Sequence, residues 1–269
     1  MTRAEAEAIL ARAGAGEDAA FPLFEAAIAC AVHEDPSRDP AAARDLMDQA
    51  VDQLKDRLRS SPPAAALADT LAGDFRFSGD METYDHPDNA DVLTVCARRK
   101  GLPVALGIIW LEVARRCGLA LSGVDFPGHF LLRLEAADGV AAIDPFTDGR
   151  LVPPPELVRR ALHAGLTPAL AGRLDALMAP AADRSVLVRL QNNLHGRAVD
   201  AEDHPRAERA ALRRALIYPA EPRLWLDVAA AREAQGALSG ALEALDRATG
   251  PNAADAARTA RMRIRRRLN

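Results

Sequence analysis

The chain has 269 residues, 49% hydrophobic and 27% charged, a balance typical of soluble globular proteins and long enough for one large domain or two modest ones. Its formal net charge of −4 leaves no general excess of Lys and Arg to neutralise a phosphate backbone, which argues against nucleic acid as a partner. Cys30, Cys96 and Cys117 are odd in number, far apart and without a C-x-x-C pair. That pattern argues against a disulfide framework or a zinc ribbon and suits a reducing cytoplasm.

In chain order, residues 2–72 are rich in Ala with apolar residues at helical spacing, among them Leu23, Ala27 and Cys30, then Leu46, Val51 and Leu54. "HEDPSRDP" at 33–40 and "SSPP" at 60–63 interrupt the pattern, so three or more helices are expected. The most apolar early run, residues 26–32, is too short and wrongly flanked for a signal peptide or a membrane span, and no membrane association is expected. Residues 73–90, "GDFRFSGDMETYDHPDNA", lack a helical period but keep Phe75, Phe77 and Tyr84, which predicts an ordered loop.

From Asp91 the helical pattern returns, with Val92, Val95 and Cys96 on one face, Asn89 or Asp91 as cap and Gly101 as the stop. The next helix opens at Pro103, whose missing N–H costs nothing at a first helical position, and is apolar nearly all round to Ala114, as a central helix would be. Its one acid, Glu112, pairs with Arg115 or Arg116 one turn on, or faces a pocket.

Beyond Gly118 the texture is strand-like: "LSGVDF", "GHFLLRLE", a turn at "AADG", then "VAAIDPF". If the turn centres near residues 137 and 138, Asp144 lies across from about residue 131, and His129 from about residue 146. His129 and Asp144 then occupy neighbouring strands one pair step apart, with the faces they share left open. Residues 151–182 read as helical again and end at "APAAD". Past that point Trp225, Val228, Gly236, Ala241, Leu245 and Ala248 follow the small-and-large pattern of a tetratricopeptide unit. A 34-residue shift back gives Leu194, Ala198, Ala207 and Pro219, with Arg214 out of pattern. Two degenerate helix-pair repeats are expected, too few for a long solenoid. The closing basic run at 261–267 reads either as a solvated last helix turn whose cations suit the dipole or as a patch for an acidic partner.

"GLPVALGIIWLEVARRCGL", "GVDFPGHFLLRLE", "IDPF" and "YDHPDN" occur in an order that resembles the transglutaminase-like fold related to papain-type proteases. More closely, the chain resembles the SirB-type bacterial family, often labelled regulators of sirC expression, which joins a transglutaminase-like domain to tetratricopeptide repeats. The resemblance implies a cysteine nucleophile in a G-x-C motif at a helix start, a His on the following strand and an Asp on the next. Here the motif's Gly falls on Gly101, its His on His129 and its Asp on Asp144, while the nucleophile position falls on Pro103, which has no thiol, hydroxyl or proton to give. Cys117 lies at the far end of the same helix, about 21 Å away at 1.5 Å per residue, where the dipole disfavours thiolate. Cys96 is the remaining alternative nucleophile, weighed against a plain role as a small core hydrophobe, the role also expected of Cys30.

The expected fold is therefore α+β, a transglutaminase-like domain over 1–182 (helical lead-in 1–72, core 73–150) followed by tetratricopeptide-like helices over 183–269. The expected function is a non-catalytic module that binds protein partners through its cleft and repeats, with His129 and Asp144 as a relic pair. The competing reading is an amide or peptide hydrolase using Cys96, or a water held by His129 and Asp144. No cofactor or metal is expected, since His33, His86, His163, His195 and His204 are scattered and read as surface or capping residues. The oligomeric state is left open.

Overall fold

Helix α1 (Arg3–Ala15) opens on a capping box, in which Thr2 Oγ1 accepts from the Glu5 N–H and the Glu5 carboxylate accepts from the Thr2 N–H. Helix α2 (Leu23–Glu34) is buried from Leu23 to His33 apart from Glu25 and stops before Pro36. Helix α3 (Ala41–Arg57) starts directly after Pro40, and α4 (Pro63–Ala68) carries Pro63 in its first turn before running into a π-helical turn, Asp69–Asp74. The breaks thus fall at the two proline clusters.

A computed structural model describes residues 1–136, 139–250 and 253–268 and divides into two units, one of Asp39–Val186 and one of Met1–Arg38 with Leu187–Asn269. The expected turn at residues 137 and 138 lies outside the described residues.

In the 39–186 unit, the loop expected at 73–90 forms a strand β1 (Ser78–Gly79), which pairs in parallel with β2 (Lys100–Gly101). Between them α5 (Val92–Arg98) is capped by Asp91, whose carboxylate accepts the Thr94 N–H at 2.8 Å. The stop is Arg99, left-handed at φ 63°, and not Gly101, which pairs in β2 with Gly79 of β1 and leaves no room for a side chain, since Val95 sits 2.7 Å from where its Cβ would be. Helix α6 (Pro103–Arg116) follows, buried at every residue from Val104 to Ala114 except Glu112, with Trp110 at its centre. Each fully buried Leu or Ile contributes about 1.5–3 kcal/mol relative to exposure, so α6 anchors this unit. Glu112 pairs with Arg116 at 3.7 Å, while Arg115 is taken by Asp183.

The antiparallel sheet runs β3 (Ala120–Val124), β4 (Leu131–Ala136), β5 (Gly139–Asp144) and β6 (Arg150–Leu151), in that spatial order. Leu132 pairs with Ile143, so residue 131 stands opposite Asp144, as the pairing arithmetic expected. His129 is not on a strand. It sits in a turn two residues before β4, its N–H donating to Phe126 O at 2.9 Å. Helices α7 (Pro154–His163), α8 (Pro168–Ala171) and α9 (Leu174–Leu177) complete this unit, and Leu157, Ala161, Ala171 and Met178 pack with Val124, Phe126 and Leu131.

Helix α10 (Asp183–Asp200) carries the chain into the second unit, which continues with α11 (His204–Ile217), α12 (Pro222–Ala234), α13 (Leu238–Arg247) and α14 (Ala254–Leu268). Trp225, Val228, Ala241, Leu245 and Ile264 form its core. Helices α1 and α2 belong here rather than to the 39–186 unit, a grouping that differs from the expected division at 182. The physical reason is close backbone approach and charge: a Cβ on Gly14 would meet Leu216 O at 1.9 Å, and the Glu34 carboxylate accepts from both Arg209 and Arg213. Among the described residues no helix is long and apolar enough to cross a membrane.

Candidate functional site

The start of α6 is fastened from the loop before it. The Leu102 N–H, at the N-cap, donates to Asn89 O at 2.8 Å, and Pro103 takes the first helical position with its side chain half-buried. Asn89 is fully buried, its Nδ2 donating to Thr83 O at 2.6 Å and its Oδ1 accepting from Arg98 at 3.3 Å. The buried Asp80 accepts from the Thr83 N–H, the Thr83 hydroxyl and Arg98, and these bonds hold its carboxyl well below the usual range. Asn89, the last residue of "YDHPDN", thus works with Asp80, Thr83 and Arg98 as a brace for the α6 N-terminus.

Two phenylalanines fix the segments that carry the sequence-identified residues. Phe130, next to His129, fills the space over Gly107, one turn into α6, where a Cβ would meet its ring at 2.2 Å. Phe146, two residues past Asp144, accepts the Gly79 N–H at 3.2 Å beside Gly101, and its ring meets the edge of Tyr84 at 5.8 Å between centroids. The segment carrying His129 therefore packs on α6 one turn past Pro103, and the segment carrying Asp144 packs on β1, whose partner β2 leads into α6.

Their chemistry departs from a simple His–Asp pair. Asp144 is 6% exposed, its Oδ1 accepting the Phe146 N–H at 3.1 Å and its Oδ2 accepting from Arg160 Nη1 at 2.8 Å. Arg160 is shared with Glu156 at 2.9 Å, and Glu156 is gripped from its other side by Arg150 at 2.5 and 2.8 Å. Bonds from Arg150 lead the forces that pull Glu156 down to about 2, with Arg160 adding to them. His129 is exposed, and its pKa is lowered first by partial burial and then by the Arg160 cation, against the opposing pull of Asp144 and Glu156. Burial and the Arg160 cation thus favour its neutral imidazole. Arg150, Glu156 and Arg160 were not identified from sequence. The available signal was the i,i+4 spacing of Glu156 and Arg160 on a predicted helix, which looks the same for any solvated pair.

Cys96 is 2% exposed on the inner face of α5, and burial pushes its thiol up to about 12, so it carries no thiolate to attack with at neutral pH. Cys30 is equally buried in α2. Cys117 caps the far end of α6, its Sγ donating to Val51 O at 3.5 Å, and burial raises it too. Among the described residues no three His, Cys, Asp or Glu side chains gather as a metal site would require.

A family model described as the Transglutaminase-like superfamily matches residues 41–192. A UPF0162 protein of Xylella fastidiosa is 35% identical over 236 residues, covering 86% of this chain and 84% of that protein. A UPF0162 protein of Pseudomonas aeruginosa is 37% identical over 135 residues, 49% of each chain. F-box only protein 21 of Homo sapiens is similar over a shorter stretch, 35% identical over 82 residues, 30% of this chain and 13% of that protein. No solved structure matches.

Proposed function

Because the chain belongs to the transglutaminase-like superfamily, and within it to the UPF0162 proteins, we propose that it is a non-catalytic member that acts in the cytoplasm as a protein-interaction or regulatory module. The observation that carries this reading is Pro103 at the first position of α6, where the fold's chemistry requires a thiol. Arg160 on Asp144 supports it, because a carboxylate already neutralised by a guanidinium orients and charges an imidazole poorly. Exposed apolar surface supports a binding role: Val140 and Leu151 are 54% and 53% exposed beside an apolar groove of about 660 Å³ flanked by Pro153, Leu157 and Leu174. In the second unit, α11 and α13 begin 34 residues apart, at His204 and Leu238, in keeping with tetratricopeptide-like helix pairs as a second contact surface.

The test compares the wild-type chain with Pro103→Cys, His129→Ala and Cys96→Ala on a fluorogenic casein substrate, alongside iodoacetamide labelling at pH 7.4. The expected result is no hydrolysis by the wild type and a new fast-labelling thiol only in Pro103→Cys. Hydrolysis by the wild type that is lost in His129→Ala or Cys96→Ala would establish the hydrolase reading instead.

A further inference from the structure

The arginines of α14 divide by helical face. Six of them, with a single acid, Asp255, stand in residues 254–268 of a chain whose net charge is −4. Arg263 and Arg267, one turn apart, close on Glu233, which is 8% exposed, at 2.6 and 3.3 Å and so fix α14 to α12. Arg258, Arg261 and Arg265 lie on another face and line a groove of about 480 Å³ floored by Leu245 and Ala248, with Met262 between them, 53% exposed. Arg258 and Arg261 are met by Asp255 and Asp246, which are 88% and 72% exposed. Such water-screened pairs are worth little and exchange readily for a better partner. Among the described residues Arg265 has no carboxylate partner.

We propose that this groove is a docking site for an acidic peptide segment of a partner protein, its carboxylates meeting Arg258, Arg261 and Arg265 and an apolar side chain meeting Met262. The inference deepens the binding role proposed above and rests on it. Charge complementarity selects the occupant: three guanidiniums along eight residues of helix span about 10 Å, the reach of roughly three extended residues. Carboxylates at alternate positions of an extended peptide therefore meet successive arginines through charge-assisted bonds. Nucleic acid is the poorer fit, because the groove floor is aliphatic with no ring for a base to stack on, and the chain as a whole is acidic.

The experiment measures fluorescence anisotropy of a labelled hexapeptide alternating glutamate and leucine, titrated with the full-length chain at low and physiological salt. Its glutamine counterpart and a twelve-nucleotide oligothymidylate run in parallel. Binding about tenfold tighter for the glutamate peptide than for the glutamine one is expected, weakening with salt. The preference should vanish in Arg258→Gln/Arg261→Gln/Arg265→Gln. Arg261 also donates to Leu245 O at 2.8 Å, so the triple variant could loosen α14. Met262→Glu is therefore the second variant: it puts a carboxylate within a turn of Arg258 and Arg265 while leaving every existing bond in place, and it should abolish the preference equally. Equal or undetectable binding of the two peptides, a preference that survives both variants, or tighter binding of the oligonucleotide overturns the proposal. None of these outcomes involves the α6 site, so failure here leaves the casein and labelling results standing as the separate test of the non-catalytic reading.

Discussion

Pro103 suits its position for reasons independent of catalysis: its fixed φ and missing N–H cost nothing at a first helical residue, so helix-start stability alone accounts for a proline there. Asp144 is bonded to a guanidinium. With Arg160 at 2.8 Å and side chains only 8% and 14% exposed, the pair is a nearly buried ion pair, and breaking such a pair from one side costs about 3–5 kcal/mol. Asp144→Asn should therefore lower unfolding free energy by roughly 3 kcal/mol in urea titrations, whereas His129→Ala, an exposed turn residue, should change it by less than about 1 kcal/mol. Similar costs for the two would mean that the carboxylate's main partner is the imidazole. The place of Asp144 in the hairpin was legible in sequence, because strand pairing is simple arithmetic, whereas the turn that holds His129 off the strand was not. The partner was not, because Arg160 comes from a helix that packs beneath the sheet end, and nothing in a single sequence orients a helix against a hairpin.

At the scale of elements, α2 shows the same limit. The proline breaks that bound it were legible, and so was its apolar stripe, but His33 was expected as a surface or capping residue and is 1% exposed. Its partner Arg213 lies 180 residues away on α11, a distance over which local patterns carry no information. The ring's Nε2 meets Glu7 at 3.0 Å and its Nδ1 faces Arg213 at 3.4 Å, which suits a neutral imidazole with its proton on Nε2. Burial, then the Arg213 cation, lowers His33 from 6.5 to about 4, while Arg209 and Arg213 overcome burial to hold Glu34 at about 2. Both groups therefore take up protons more readily when unfolded. Stability from His33 is whole above pH 6.5 and drains as pH falls towards 4, and that from Glu34 is whole above 4.5 and drains towards 2. Urea midpoints for the wild type should fall between pH 7 and pH 4.5. His33→Gln should start lower and stay flatter across that window. An unchanged slope in the variant would show that His33 does not control this part of the acid response.

For the molecule as a whole, the division of the chain into 1–38 with 187–269 on one side and 39–186 on the other changes what a truncation means. Proximity in sequence groups the first helices with α3 and α4, because Ala-rich amphipathic helices do not announce their partners. Within the second unit, however, α1 and α2 are structural neighbours of α11. Gly14 lets the α1 backbone approach Leu216, and Glu34 is the counter-ion of Arg209 and of Arg213, which is 1% exposed. A fragment of residues 187–269 lacks that carboxylate, so it must either bury a guanidinium unpaired or open α11 to water, and both cost several kcal/mol against a stability of only about 5–15 kcal/mol for a whole domain. The fragment alone should show depressed helicity by circular dichroism and a broad thermal transition. Adding the peptide 1–38 in trans should restore a sharp one, and the Glu34→Gln peptide should restore it poorly. If 187–269 melts cooperatively without the peptide, the N-terminal helices are not integral to this unit, and the C-terminal helices can be deleted or transplanted without disturbing residues 1–38.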